Sequence, residues 1–164
     1  MRDIGVNARK ASHQLSYVTT EQKNNFLEIL AKSLHDNEDL ILKANSVDLE
    51  KAHNNNLDNA FIDRMTLTNS GIKSMCDGIL QVKSLEDLVG KVINRKKRPS
   101  GIVVCQMRVP IGVIGMIYES RPNVTIDAAA LAVKAGNAII LRGGSETINS
   151  NKYLGKLITQ ALIE

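Results

Sequence analysis

Apolar positions recur at helical spacing through the first half of the chain and at strand spacing only later. Ile4, Ala8, Ala11 and Leu15 fall on one face of a first amphipathic helix. Thr19 and Gln22 make a capping-box pair ahead of Phe26, Leu27, Ile29, Leu30 and Leu34, which predicts a second. Leu40, Ile41, Ala44 and Val47 predict a third, fraying into the Asn-rich stretch 54–59, which is a loop by composition. A fourth, from about Asn69 to Val82, is predicted to bury Ile72, Met75, Ile79 and Leu80.

The character changes at Pro99-Ser100-Gly101. Ile102 to Val109 is strand-like and ends at Pro110. Two short apolar runs follow, Val113 to Ile117 and Ala138 to Leu141, separated by an Ala-rich helical segment that closes with Gly136-Asn137. A last helix, from about Asn149 to Ile163, carries Leu154, Leu157, Ile158, Ala161 and Leu162 on its apolar face. Strand, helix, strand in this order is a βαβ unit, and its right-handed crossover makes the two strands parallel. Ligands of such sheets gather outside the carboxyl ends of the strands. The polar loops 118–125 and 142–146 both fall on that edge, so any chemistry is predicted there.

Composition narrows the function classes. A chain of 164 residues with 43% hydrophobic and 23% charged residues has globular values. With 3% aromatic residues and no Trp, it is a poor stacking platform for single-stranded nucleic acid. The net charge of +4 owes much to Arg95, Lys96, Lys97 and Arg98. That run is read as a solvated turn before a strand, with a nucleic-acid patch as the alternative. Residues 1–10 lack the apolar core of a signal peptide, and no apolar run approaches the roughly 20 residues that span a bilayer. Cys76 and Cys105 form neither a disulfide framework nor a CxxC pair, which predicts a reduced, cytosolic protein. His13, His35 and His53 lack metal-ligand spacing, and no P-loop or Ser-His-Asp arrangement is present.

Within the two loops, Asn123 precedes a helix expected to begin near Thr125. Its amide there is an oxyanion donor or a helix cap. Arg121 suits an acyl phosphate or a carboxylate, because its planar guanidinium binds two oxygens at once; an ion pair with Glu119 is the alternative. Arg142, Gly143, Gly144, Ser145 and Glu146 form the cofactor candidate. The glycines admit a ligand close to the backbone, Ser145 and Glu146 reach ribose hydroxyls, and Arg142 meets a 2′-phosphate, favouring NADP. A plain strand-to-helix turn is the alternative. Glu119 and Ser120 receive no role. Neither cysteine has a neighbour that lowers its pKa, so both are read as structural.

The blocks IYESRPNVT (117–125), AGNAIILRGGSE (135–146), Ser150-Asn151, DRM (63–65) and LEDLVGKV (85–92) closely resemble the glutamate-5-semialdehyde dehydrogenases, or γ-glutamyl phosphate reductases, of the aldehyde dehydrogenase superfamily. The resemblance covers nearly the whole chain. It implies an α/β fold: a helical N-terminal region, then the first βαβα part of a Rossmann-like parallel sheet. Residues 1–98 would be the helical part of the nucleotide-binding domain, 99–110 an arm strand with its elbow at Pro110 and Gly112, and 111–164 the first half of the NADP-binding sheet.

The resemblance also implies NADPH-dependent reduction of γ-glutamyl phosphate to glutamate 5-semialdehyde in proline biosynthesis. A cysteine thiolate attacks, phosphate leaves, and hydride reaches the thioester. Asn123 would stabilise the oxyanion, Arg121 would orient substrate, and residues 142–146 would hold the adenosine end of NADP. Glutamate 5-kinase is the implied protein partner and a homo-oligomer the implied assembly; no nucleic acid, membrane or metal is implied. The loop reads ESRPN where the superfamily commonly has PWN. Family members are much longer, so the chain is expected to be a fragment that ends before the catalytic cysteine and is inactive alone. Another oxidoreductase of the superfamily and a non-catalytic binding or assembly module are the alternatives.

Overall fold

The computed structural model describes residues 2–163. Five helices come first: α1 (Arg2–Leu15), α2 (Thr20–Asp36), α3 (Glu38–Asn54), α4 (Asn59–Met65) and α5 (Asn69–Ser84). The capping box forms as expected. Thr19 Oγ1 accepts from the Gln22 amide at 3.2 Å, and Gln22 Oε1 accepts from the Thr19 amide at 2.9 Å. Phe26, Leu27, Leu30 and Leu34 of α2 pack with Ile72, Met75 and Ile79 of α5, and this pair is the centre of the core.

Three details depart from the periodic pattern. The Asn-rich stretch leads directly into α4, too short for its period to show in sequence. Leu80 faces solvent, 45% exposed, because α5 buries only the stripe of Ile72, Met75 and Ile79. In α3, Leu40 and Val47 are exposed, while polar Asn45 and Asp48 are buried.

β1 (Val92–Lys97) and β2 (Val103–Met107) form an antiparallel hairpin. Its turn is closed by the Arg98 amide donating to Ile102 O at 2.8 Å, with Gly101 at φ +86°. The basic run is therefore solvated but is not a turn: Arg95, Lys96 and Lys97 belong to a strand, and only Arg98 enters the turn. The arm strand expected from 102 onward has its partner inside this chain. Cross-strand backbone bonds satisfy β1, so VINRKK needs no apolar alternation. A register break between Ile93 and Lys96 includes Asn94 at φ 55°.

β3 (Val113–Ile117), α6 (Pro122–Lys134) and β4 (Ala138–Arg142) are the βαβ unit. The strands are parallel and in register from Val113 opposite Ala138 to Ile117 opposite Arg142. α6 ends in a Schellman turn. The Asn137 amide donates to Ala132 O at 2.8 Å and the Gly136 amide to Val133 O at 2.9 Å. Gly136 takes φ +73°, and a Cβ there would press on Pro110 Cγ at 3.0 Å, so conformation and space both require glycine. Asn137 Oδ1 then accepts from the Gly112 amide at 2.9 Å, tying the elbow to the strand.

A short 3₁₀ turn (Ser145–Thr147) leads into α7 (Ile148–Ala161), whose Leu154, Leu157 and Ala161 join the core with Ile126, Ala130 and Val133 of α6. The second edge of β4 pairs with no strand among the described residues. Beside it, an open apolar cavity of about 1240 Å³ runs between α1, β4 and α7. The apolar face expected for α1 lines this space: Ile4, Ala8, Ala11 and Leu15 all border it. Among the described residues, no helix is long and apolar enough to cross a membrane.

Candidate functional site

The parallel register puts the ends of β3 and β4 side by side, and the Tyr118 amide extends the ladder by donating to Arg142 O at 3.1 Å. The β3–α6 loop and the β4–α7 loop therefore leave the sheet together at its carboxyl edge, as the βαβ pattern requires. Side chains then knit them. Thr125 Oγ1 donates to Asn151 Oδ1 at 3.0 Å, so its one proton is used and Tyr118 is the donor in the 2.6 Å contact between the two hydroxyls. Asn151 Nδ2 continues the chain to Thr147 Oγ1 at 3.0 Å. A second link is Ser120 Oγ donating to Glu146 Oε2 at 2.6 Å.

α6 begins at Pro122 and not near Thr125; proline at the first helical position fixes φ and lacks an amide hydrogen the helix would leave free anyway. Asn123 consequently lies inside the first turn. Arg121 occupies the cap position and makes no side-chain cap bond. The Asn123 side chain is exposed, and its one hydrogen bond among the described residues is a long 3.5 Å contact to Asp127 Oδ2. Desolvation raises the Asp127 carboxyl above its ordinary pKa, with the Asn123 amide working against the rise. Arg121 is exposed and forms no ion pair among the described residues; its backbone amide, not its guanidinium, meets Glu119, through the carbonyl at 2.7 Å.

In the β4–α7 loop, Arg142 is exposed and likewise unpaired among the described residues. Glu146 accepts from Ser120 and, through Oε1, from Ser145 Oγ at 3.1 Å. The Ser120 hydrogen bond is the main reason that its carboxyl lies below the ordinary range. The exit of this loop is rigidly built. Asp48, fully buried on α3, accepts from the amides of Asn149 and Ser150 at 3.2 and 2.8 Å and from Ser150 Oγ at 2.7 Å. A carboxylate from another helix thus caps α7, where free amides and the helix dipole favour negative charge.

The two glycines between these anchors have a reason that sequence reasoning missed. A Cβ on Gly143 would overlap Asn151 Nδ2 and lie 3.1 Å from the Tyr118 ring; one on Gly144 would overlap Ser120 Oγ. Protein side chains, not an external ligand alone, account for the pair. Tyr118, Ser120, Thr125 and Asn151 are the site residues that periodicity could not mark. The adjacent glycines were the available signal of a crowded backbone.

Neither cysteine joins this edge. Burial, then the neighbouring Asp77, raises the Cys76 thiol above its ordinary pKa, the reverse of nucleophile activation, and its Sγ donates to Ala31 O at 3.4 Å. Cys105 is exposed on the hairpin. Among the described residues no cluster of His, Cys, Asp and Glu is arranged to hold a metal ion.

No family model matches the chain. Individual proteins match it closely. It is 52% identical over 158 residues to the gamma-glutamyl phosphate reductase of Francisella philomiragia, covering 96% of this chain and 38% of that protein. The crystal structure of gamma-glutamyl phosphate reductase from Thermotoga maritima superposes with a TM-score of 0.92 at 42% identity, over 95% of this chain and 38% of that one. The Saccharomyces cerevisiae gamma-glutamyl phosphate reductase gives 0.94 at 34% identity, over 98% and 41%. The chain thus spans about two fifths of the length of the proteins it matches. Aldehyde dehydrogenases at 20% identity or less share the fold alone. By residue identity and by fold, this chain is homologous to the N-terminal portion of the gamma-glutamyl phosphate reductases.

Proposed function

We propose that the chain is part of an NADPH-dependent reductase that converts γ-glutamyl phosphate to glutamate 5-semialdehyde and phosphate in proline biosynthesis. One observation carries this. The two most family-specific blocks, 117–125 and 135–146, meet at one sheet edge in a chain 52% identical to a gamma-glutamyl phosphate reductase.

Arg121 orients the substrate, whose carboxylate and acyl phosphate both suit a fork of parallel donors; its guanidinium pairs with no carboxylate among the described residues. Asn123 donates its amide to the carbonyl oxygen as negative charge develops, at the N-terminal end of α6, where the helix dipole favours negative charge. The adenosine end of NADP fits the β4–α7 loop. Arg142, unpaired among the described residues, meets the 2′-phosphate. Ser120 and Ser145 occupy two of the roughly four lone-pair positions of Glu146, which leaves an acceptor for the 3′-hydroxyl, the one free hydroxyl on the adenosine ribose of NADP. When bound, NADPH supplies the hydride; Arg142, Ser145 and Glu146 hold and orient it, and Gly143 and Gly144 keep the loop close to the sheet. A cytoplasmic homo-oligomer that takes the acyl phosphate from glutamate 5-kinase belongs to the same proposal.

Supplying the full-length protein with γ-glutamyl phosphate and NADPH tests the assignment. NADPH is consumed with the acyl phosphate and not with free glutamate, which carries no comparable leaving group. Consumption with neither would refute it. Cofactor choice has its own test. Arg142→Ala removes a charge-assisted contact worth about 1.5–3 kcal/mol, so NADPH affinity falls roughly ten- to a hundredfold. NADH affinity changes little. An equal loss for both nucleotides places Arg142 on the shared ribose or on the loop itself.

A further inference from the structure

Ser120 has no side-chain partner on its own loop; its bond crosses to the neighbouring one. It is 4% exposed, and its hydroxyl donates at 2.6 Å to a carboxylate 26 residues away. Gly144 sits between them in an ordinary extended conformation, φ −62° and ψ 154°, so the backbone does not demand glycine. Space does: a Cβ there would overlap Ser120 Oγ and approach Glu146 Oε2 to 2.7 Å. Ser120, Gly144 and Glu146 are therefore one interdependent set, in which the small residue makes room for the hydrogen bond. Glu146 is otherwise an exposed side chain, held on its other oxygen, among the described residues, only by the adjacent Ser145.

We propose that Ser120 is a positioning residue for nucleotide binding, which acts by fixing the carboxylate of Glu146 and locking the β3–α6 loop to the β4–α7 loop. This rests on the assignment of residues 142–146 to the cofactor. The hydroxyl removes rotamer freedom from Glu146 before the nucleotide arrives, so binding does not have to supply that ordering. It touches neither substrate nor hydride, and its effect falls on affinity and not on the chemical step. Because the 3′-hydroxyl of the adenosine ribose is common to both nucleotides, and the 2′-oxygen is phosphorylated in NADPH, a Glu146 carboxylate aimed at the 3′-hydroxyl makes NADPH and NADH respond alike, in contrast to the selective response at Arg142.

The test uses the full-length protein, with Kd for NADPH and NADH from titration and kcat at saturating cofactor. Ordering one flexible side chain corresponds to roughly 2- to 10-fold in affinity, so Ser120→Ala raises both Kd values by that factor and leaves kcat within about 2-fold. Introduced into Glu146→Ala, the same substitution has no further effect, because its target is gone. Gly144→Ala, which displaces the hydroxyl without deleting it, is a second route to the same loss should Ser120→Ala fold poorly. A folded Ser120→Ala protein with unchanged Kd values overturns the proposal, as does an undiminished effect in the Glu146→Ala background. If Arg142→Ala and Glu146→Ala also leave nucleotide binding intact, the cofactor assignment beneath it fails. If those two weaken binding and Ser120→Ala does not, only the positioning role fails.

Discussion

Asn123→Ala lowers the turnover of the full-length protein about 100- to 1,000-fold, the usual consequence of removing one oxyanion donor. The melting temperature stays close to wild type. The first rests on the oxyanion role proposed for Asn123; the second follows from where the helix starts. Since α6 begins at Pro122, Asn123 is not the cap, and the stability of about 0.5–2 kcal/mol that a lost cap would cost is not at stake. Its side chain is exposed, with only the 3.5 Å contact to Asp127, and surface substitutions of this kind stay within about 0.5 kcal/mol. Steady-state turnover and thermal unfolding of the same preparation separate the two roles. Normal turnover with a lowered melting temperature removes Asn123 from the oxyanion site. Normal values of both move the donor to a neighbouring residue or a backbone amide.

Asp87→Asn destabilises the protein by about 3–5 kcal/mol, the cost of leaving one member of a buried ion pair without its partner. Lys23 and Asp87 are 2.8 Å apart, with side chains 1% and 7% exposed. Thr20 Oγ1 and the Val89 amide also donate to the carboxylate. The buried Lys134 lies in the same region and donates to Asn24 Oδ1 and Lys83 O. Burial lowers the pKa of its ammonium; Asp87 opposes that shift and Lys23 adds to it. Loss of Asp87 therefore leaves two buried lysines uncompensated, in a cluster that joins α2, α5 and α6. Chemical denaturation at neutral pH measures the cost.

The pH dependence has a definite sign. Burial raises the Asp87 carboxyl, but hydrogen bonds from Lys23, Val89 and Thr20 outweigh it and the net shift is downward. Its stabilisation is complete above the unfolded value of about 3.9 and is lost as pH falls through the lower folded value. Wild type and Asp87→Asn converge only at that acidic end. A constant difference across the whole range contradicts the ion-pair account. Lys83–Glu28, with side chains 33% and 63% exposed, is a pair whose removal costs little.

The elements that bury an apolar stripe were legible. Thr19 and Gln22 announced α2, Ile72, Met75 and Ile79 announced α5, and the runs at 113–117 and 138–141 announced a parallel pair with both polar loops at one edge. Elements without a stripe were not. β1 is an exposed ribbon of charged residues held by backbone pairing to β2, and nothing in VINRKK alternates toward a core. α4 is seven residues long beside a run of asparagines. The start of α6 is readable from Pro122, which puts Arg121 at the cap and Asn123 inside the first turn.

The candidate site divides in the same way. Arg121, Asn123 and Arg142 were identifiable by residue type at a predicted sheet edge, and they are exposed there. The hydrogen bonds that hold the edge in shape were not: Ser120 reaches Glu146, and Thr125 reaches Asn151, across 26 residues each. Such contacts exist only once the crossover has brought the loops together. Gly143 and Gly144 signalled crowding but not which atoms crowd them.

Phosphate dependence of the reverse reaction tests the central assignment most directly. The full-length protein is given glutamate 5-semialdehyde and NADP, and NADPH is followed by absorbance with and without inorganic phosphate. An acyl phosphate reductase run backwards needs phosphate to release its acyl product, so NADPH forms when phosphate is present and the rate falls to background when it is omitted. Equal rates in both conditions would describe an aldehyde oxidation completed by water, and would contradict the γ-glutamyl phosphate assignment.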